Sequence, residues 1–323
     1  MASERPRARQ GAGAGQGWRM RWALPAIALL AVAVGLAGAA PELLWSLRLP
    51  RVLAGFSVGA LLALSGLAMQ VLLRNPLADP YVLGTSGGAA VGSILALLLG
   101  GLMWLGAALG ALGAGLVLLW LANGRFWAHA ALNAHEDDAS ARLILAGAML
   151  AAVFGAVSTL LLTLAPDERL RGAIFWLVGD LSGAGDARWA FGLALLLVAY
   201  YARRAGAIDR LMLGSETAWL LGEPVRRLRQ ELLLLACLAT ATAVSLAGAI
   251  GFVGLVVPQM LRMGGVRTSR QLAWMGALGG GALLVLADTL ARGVAWPLEL
   301  PVGAVMSLIG APLFILFLAR AVR

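Results

Sequence analysis

The sequence predicts an all-α polytopic membrane protein with about ten transmembrane helices, each needing about 20 apolar residues to span the bilayer. Three observations predict it. Of the 323 residues, 61% are hydrophobic, and the mean hydropathy of +0.87 is far above that of a soluble domain. The apolar residues fall in long uncharged runs, such as 81–124 and 232–261. The 25 basic residues are all arginine, and they gather between those runs. In a soluble chain the net charge of +9 would suggest nucleic acid. In short inter-span loops it is an orientation signal instead.

Residues 1–21 are rich in Gly, Ala and Arg without apolar periodicity, and read as a disordered basic cytoplasmic tail. Residues 22–323 read as one transmembrane domain. Ala23–Ala40 is the first span; with the tail it could also be a cleaved signal peptide, but the many later spans favour a retained helix. Glu42–Arg51 reads as a short loop, and Val52–Leu73 as a second span whose Gly, Ala and Ser residues allow close helix approach. Arg74–Pro80 is a polar turn with two prolines that stop helices on either side. Residues 81–124 fit two spans turning near Gly100 and Gly101, and Arg125–Arg142 is a polar loop with Glu136, Asp137 and Asp138.

Leu143–Ala165 is the fifth span. The apolar patch in Asp167–Arg188 is too short to cross and reads as interfacial or re-entrant. Trp189–Tyr201 is a shorter span, followed by the longest polar segment, Ala205–Glu231. Gln271–Leu290 and Pro301–Leu318 complete the set. An even number of spans puts both termini on one side. With the N-terminus in the cytoplasm, 19 arginines lie inside, and only Arg48, Arg51, Arg169, Arg171, Arg188 and Arg292 lie outside. That asymmetry predicts N-in, C-in.

The run 232–261 is too long for one span and too short for two. Gly248, Gly251, Gly254 and Pro258 are spaced through its second half. Glycine relaxes the backbone and proline removes a hydrogen bond, so this segment should break inside the membrane. Broken backbone at that depth is tolerated only against protein or a water-filled cavity. A helix, a turn and a shorter helix beside a pathway follow; a plain lipid-facing span is the alternative. Cys237 lies within an apolar run, where it serves packing. His129 and His135 share a polar loop without the spacing of a metal site.

Seven segments resemble, in register, the FecCD family of ABC importer permeases. They are LRLPRVLAG (47–55), GLAMQVLLRNPLADPYVLGTSGGA (66–89), FWLVGDL (175–181), LGSETAWLLG (213–222), AGAIGFVGLVVPQMLR (247–262), ADTLAR (287–292) and ELPVGAVMSLIGAPLFI (299–315). Two departures stand out: Gln259 replaces the family's usual histidine, and the HEDD of the 125–142 loop has no match. The resemblance implies a type II importer subunit of the bacterial inner membrane, carrying an iron–siderophore, haem or cobalamin. It implies a homodimer, two cytoplasmic ATPase subunits and a periplasmic substrate-binding protein, with no cofactor of its own and no nucleic-acid partner. The chain lacks a GxxxxGK[ST] loop, so ATP hydrolysis by that chemistry must come from elsewhere.

The resemblance also implies site residues. Arg48, Arg51 and Arg292 match positions that receive acidic groups of the binding protein, where arginine forms bidentate pairs and steers docking. Interfacial anchoring, or an internal pair such as Arg292 with Asp288, is the alternative. Leu213, Gly214, Glu216, Ala218, Leu221 and Gly222 match the ATPase-coupling segment within about 205–230, and the segment's length exceeds an ordinary helix connection. Ser140 matches the region of the family's cytoplasmic gate and, with Gly248, Gly251 and Pro258 of the broken segment, makes up the pathway or gate candidates, although glycine-rich faces also serve close packing. No acidic or histidine residue sits mid-span with a partner, which disfavours an ion-coupled secondary transporter, and no catalytic cluster supports a membrane enzyme.

Overall fold

A computed structural model describes residues 10–37, 41–122, 136–295 and 298–321, with side chains undescribed at some of these. Every regular element among them is helical. In chain order these are α1 (Gln10–Leu36), α2 (Pro41–Leu43), α3 (Leu49–Leu72), α4 (Thr85–Leu98), α5 (Met103–Ala122), α6 (Glu136–Thr163) and α7 (Asp167–Val178). Then come α8 (Arg188–Met212), α9 (Ser215–Leu220), α10 (Val225–Ala247), α11 (Val253–Met263), α12 (Ser269–Gly293) and α13 (Val302–Ala321). Six helices are long and apolar enough to cross a membrane, and four shorter ones are apolar over Ala23–Leu36, Thr85–Leu98, Val253–Met263 and Val302–Leu316.

Helix α3 is the centre of the bundle: 89% of its apolar window is buried, and it packs against α8, α10, α11 and α12. Small residues make this possible, because lipid supplies no hydrophobic drive between helices and close backbone contact must do so. At Gly59 an added Cβ would lie 2.2 Å from the carbonyl oxygen of Gly280, so α3 and α12 cross there backbone to backbone. Ser65 Oγ and Thr240 Oγ1, 2.7 Å apart, tie α3 to α10. Helix α6 is the opposite case, with only 11% of its apolar window buried.

Several boundaries differ from the sequence expectation. The expected loop Glu42–Arg51 is helical throughout, through α2, a π-helical turn at Leu44–Arg48 and the start of α3. Pro50 explains the wide turn: it has no N–H to donate, and its ring would clash with the carbonyl four residues back. The expected short span at Trp189–Tyr201 is a 25-residue helix that carries Arg203 and Arg204 inside it. Two basic residues do not end a helix when a polar continuation can solvate them. The polar stretch 205–231 therefore reduces to α9 and its flanking turns between α8 and α10. Helix α1 begins at Gln10, within the stretch read as a tail.

The 232–261 run is broken as expected: α10 ends at Ala247 and α11 starts at Val253. Pro258 sits inside α11 and not at the break. It acts one turn earlier. Without a proline N–H, the Gly254 carbonyl loses its helical donor, and Gln70 Nε2 of α3 supplies one at 3.3 Å. Arg262 Nη1 in turn donates to Gln70 Oε1.

Candidate functional site

The break is held from three sides by backbone. Gly248 adopts φ +67° and ψ −162°, a conformation open essentially only to glycine. A Cβ there would fall 1.9 Å from the Trp176 carbonyl oxygen at the end of α7. Gly179, at φ +95°, brings the chain after α7 against Ala249, and Asp180 N donates to Ala247 O at 2.9 Å. Gly303, at the start of α13, donates to Gly179 O at 3.1 Å, and its Cβ position is 1.8 Å from Val178 O. Tyr81 closes the remaining side: its hydroxyl donates to Ile250 O at 3.0 Å and accepts from Ile250 N at 2.9 Å. A break at membrane depth must satisfy its own polar groups, and one phenol satisfies two of them.

Local sequence sets up these partners. Asp79 Oδ1 accepts from Tyr81 N at 2.8 Å and starts the single turn Pro80–Leu83, an Asx cap that aims Tyr81 at the break. Asp79 is half-buried, and burial pushes its carboxyl up to about 6. Phe252 follows the break in the left-handed region at φ +69°, a strained position for a bulky residue. It is held there by α13, where a Cβ at Gly310 would be 2.5 Å from the Phe252 Cβ.

Gly248 and Gly251 thus both lie in the break, with Pro258 inside α11 beyond it. Ser140 lies in α6, with its side chain outside the described residues. The unexpected members are Tyr81, Gly179, Phe252 and Gly303. The glycines sit in the FWLVGDL and ELPVG segments; Gly179 ends an apolar helix, which is a readable signal, whereas Gly303 opens one. Tyr81 reaches a residue 169 positions away, and nothing local announces that.

The second place is the segment expected to couple to an ATPase. Gly214 (φ +129°) and Gly222 (φ +83°) bracket α9 in conformations that side chains resist. Ser215 and Ala218 are buried against the bundle, while Leu213, Glu216, Trp219, Leu220 and Leu221 are exposed. Arg210 of α8 clamps Glu223 just beyond Gly222. A short, fixed helix with an apolar outer face results.

The third place gathers Arg48, Arg51 and Arg292. Arg48 Nη1 donates to Ala37 O at 3.0 Å. Arg292 Nη2 reaches Gly35 O at 3.4 Å, so two guanidiniums meet the negative C-terminal end of α1. Asp288 is buried and takes Arg51 at 2.9 Å and Arg292 at 3.1 Å. Arg51 also pairs with the half-exposed Glu299 at 2.8 Å. The internal pairing weighed as an alternative is therefore present, for Arg51 as well as Arg292. Arg188 pairs with Asp186 away from this cluster, and the side chains of Arg169 and Arg171 lie outside the described residues, as do His129 and His135. Among the described residues no group of three His, Cys, Asp or Glu could hold a metal ion.

Comparison with known proteins identifies the family. Residues 18–320 match the model of the FecCD transport family. The chain is 40% identical over 300 residues to the cobalamin import system permease protein BtuC of Halobacterium salinarum, covering 90% of this chain and 77% of that protein. It is 40% identical over 289 residues to the hemin transport system permease protein HmuU of Yersinia pestis, covering 85% and 82%. A solved inward-facing structure described as of a metal-chelate type ABC transporter superposes with a TM-score of 0.81 at 26% identity, covering 94% of this chain and 99% of that one. With that match along nearly its whole length, and with several helices apolar enough to cross a bilayer, the chain is a multi-pass membrane protein that belongs to the FecCD transport family.

Proposed function

We propose that this chain is the membrane permease subunit of an ATP-driven importer that moves a metal chelate across the bacterial inner membrane. The observation that carries it is the 40% identity, over most of the chain, to permeases of both cobalamin and hemin import. The cargo is then a large metal complex of the corrinoid, haem or ferric–siderophore class. The six long and four shorter apolar helices form ten spans, with both termini in the cytoplasm. The subunit works as a homodimer, and α6, with its exposed Leu145, Met149, Val153 and Leu160, faces a second copy along the pathway. Two separate ATPase subunits seat on Leu213–Gly222, where exposed Trp219 and Leu220 offer the apolar anchors that interfaces favour. Arg48, Arg51 and Arg292 receive carboxylates of a periplasmic substrate-binding protein.

Reconstitution tests this. The chain, its ATPase and its binding protein are placed in liposomes and supplied with cyanocobalamin, haem or a panel of ferric siderophores. Uptake of one of these is expected only with ATP and all three components. Uptake by the chain alone under a proton gradient would replace the reading with a secondary carrier.

A further inference from the structure

Arg51 presents two faces, and they are not equivalent. Its Nε and Nη2 point inward to Asp288, at 3.1 and 2.9 Å from Oδ1. Asp288 has a side chain only 4% exposed and is shared with Arg292, so no incoming group can displace it. The remaining nitrogen, Nη1, points outward, and Glu299 Oε2 occupies it at 2.8 Å. The Glu299 side chain is 47% exposed and comes from the linker before α13, not from a spanning helix. An outside carboxylate can reach Arg51 only at the position that Glu299 holds.

We propose that Glu299 is an internal competitor for Arg51: it occupies the guanidinium in the free subunit and is displaced by a carboxylate of the docking partner. The physical grounds are charge and exposure. Three guanidiniums, of Arg48, Arg51 and Arg292, face two carboxylates, of Asp288 and Glu299. Swinging Glu299 away raises the net charge of the cluster by one at the moment an acidic partner arrives. An ion pair with one partly exposed member contributes little, so the exchange is reversible. Glu299 also lies on the linker that leads, four residues on, to Gly303. That glycine is bonded to Gly179 beside the broken helix, so the displaced carboxylate lies on the chain segment that reaches the break.

The inference rests on the docking role of these arginines, so its test must separate the two. The affinity of the importer's own substrate-binding protein is measured for the ATPase-bound complex in nanodiscs, at fixed low salt. The variants are Glu299→Gln, Arg51→Lys, Arg48→Gln and the Glu299→Gln/Arg51→Lys double. Glu299→Gln is isosteric and half-exposed, and Arg51→Lys keeps a charge for Asp288, so both retain the fold. Removing the competitor should tighten docking about two- to five-fold, the range expected for release of an exposed ion pair. That gain should vanish when Arg51 is Lys, which cannot fork between two carboxylates. A purely structural role for Glu299 predicts the opposite sign, namely weaker docking. Unchanged or weaker docking in Glu299→Gln, with Arg48→Gln and Arg51→Lys both weakened, overturns the competitor and leaves the docking role standing. Affinity unchanged in both arginine variants overturns the docking role and the competitor with it.

Discussion

The chain interrupts its helices in two ways, and the contrast separates structure from contact surface. At Gly248–Phe252 the interruption is packed inside the subunit, and polar groups there are met by Tyr81 at Ile250 and by Asp180, just after α7, at Ala247. At Leu213–Gly222 the interruption is just as well defined in backbone, with glycines at positive φ on both sides, yet its large side chains face outward. A break that satisfies itself is architecture. A break that holds an apolar face outward is what the proposed seat for an ATPase requires, because interfaces favour large apolar anchors presented in order.

That contrast can be broken most sharply at Gly248. Gly248→Ala places a methyl against a backbone oxygen that cannot move and forces alanine into a glycine-only conformation. A loss of at least about 3 kcal/mol is expected from overpacking and strain together, read as failure to recover folded protein in detergent or a large drop in Tm. A small change in Tm would mean the break is loosely held. Next comes Tyr81→Phe, which leaves the Ile250 N–H unpaired at membrane depth. The expected cost is about 1–3 kcal/mol, measured by thermal unfolding, with faster hydrogen exchange confined to the α10–α11 break.

A smaller effect sharpens the support beneath Tyr81. Burial raises the Asp79 carboxyl from its unfolded value near 3.8 to about 6, so the folded state holds the proton more tightly. The resulting stabilisation is complete below the unfolded value and disappears as pH rises through about 6. Asp79→Asn keeps the cap to Tyr81 N and carries no charge to desolvate. Its Tm should therefore exceed that of the parent by about 1–2 kcal/mol equivalent at pH 7.5 and converge with it near pH 4. A gap independent of pH would remove the carboxylate from the explanation. The smallest effect on stability belongs to the other break: Trp219→Ala should change unfolding by no more than about 0.5 kcal/mol. It should nevertheless weaken assembly with the ATPase about ten-fold or more, as expected for a central aromatic anchor, in a pull-down at matched concentrations.

Much of this was legible in the sequence because it is local. A bilayer needs a fixed length of apolar helix, so the runs and the excess length of 232–261 announced spans and a break without any contact information. Gly248 and Gly251 were readable for the same reason. The loop expected at Glu42–Arg51 was not helical on local grounds, since a proline and two arginines read as punctuation; the π turn at Leu44–Arg48 absorbs Pro50 instead. Pro258 was assigned to the break because proline disrupts helices, but its consequence lands on the Gly254 carbonyl, which Gln70 completes from α3.

The sequence by itself determined which segments form long apolar helices and where the 232–261 run interrupts, because hydropathy and glycine act within one helical turn of themselves. Only the tertiary structure decided what answers each interruption: Tyr81 at Ile250, Gly303 at Gly179, Asp288 and Glu299 on the two faces of Arg51. Those pairings join residues as many as 237 and 248 positions apart. They depend on helices approaching backbone to backbone, a distance that no spacing along the chain encodes.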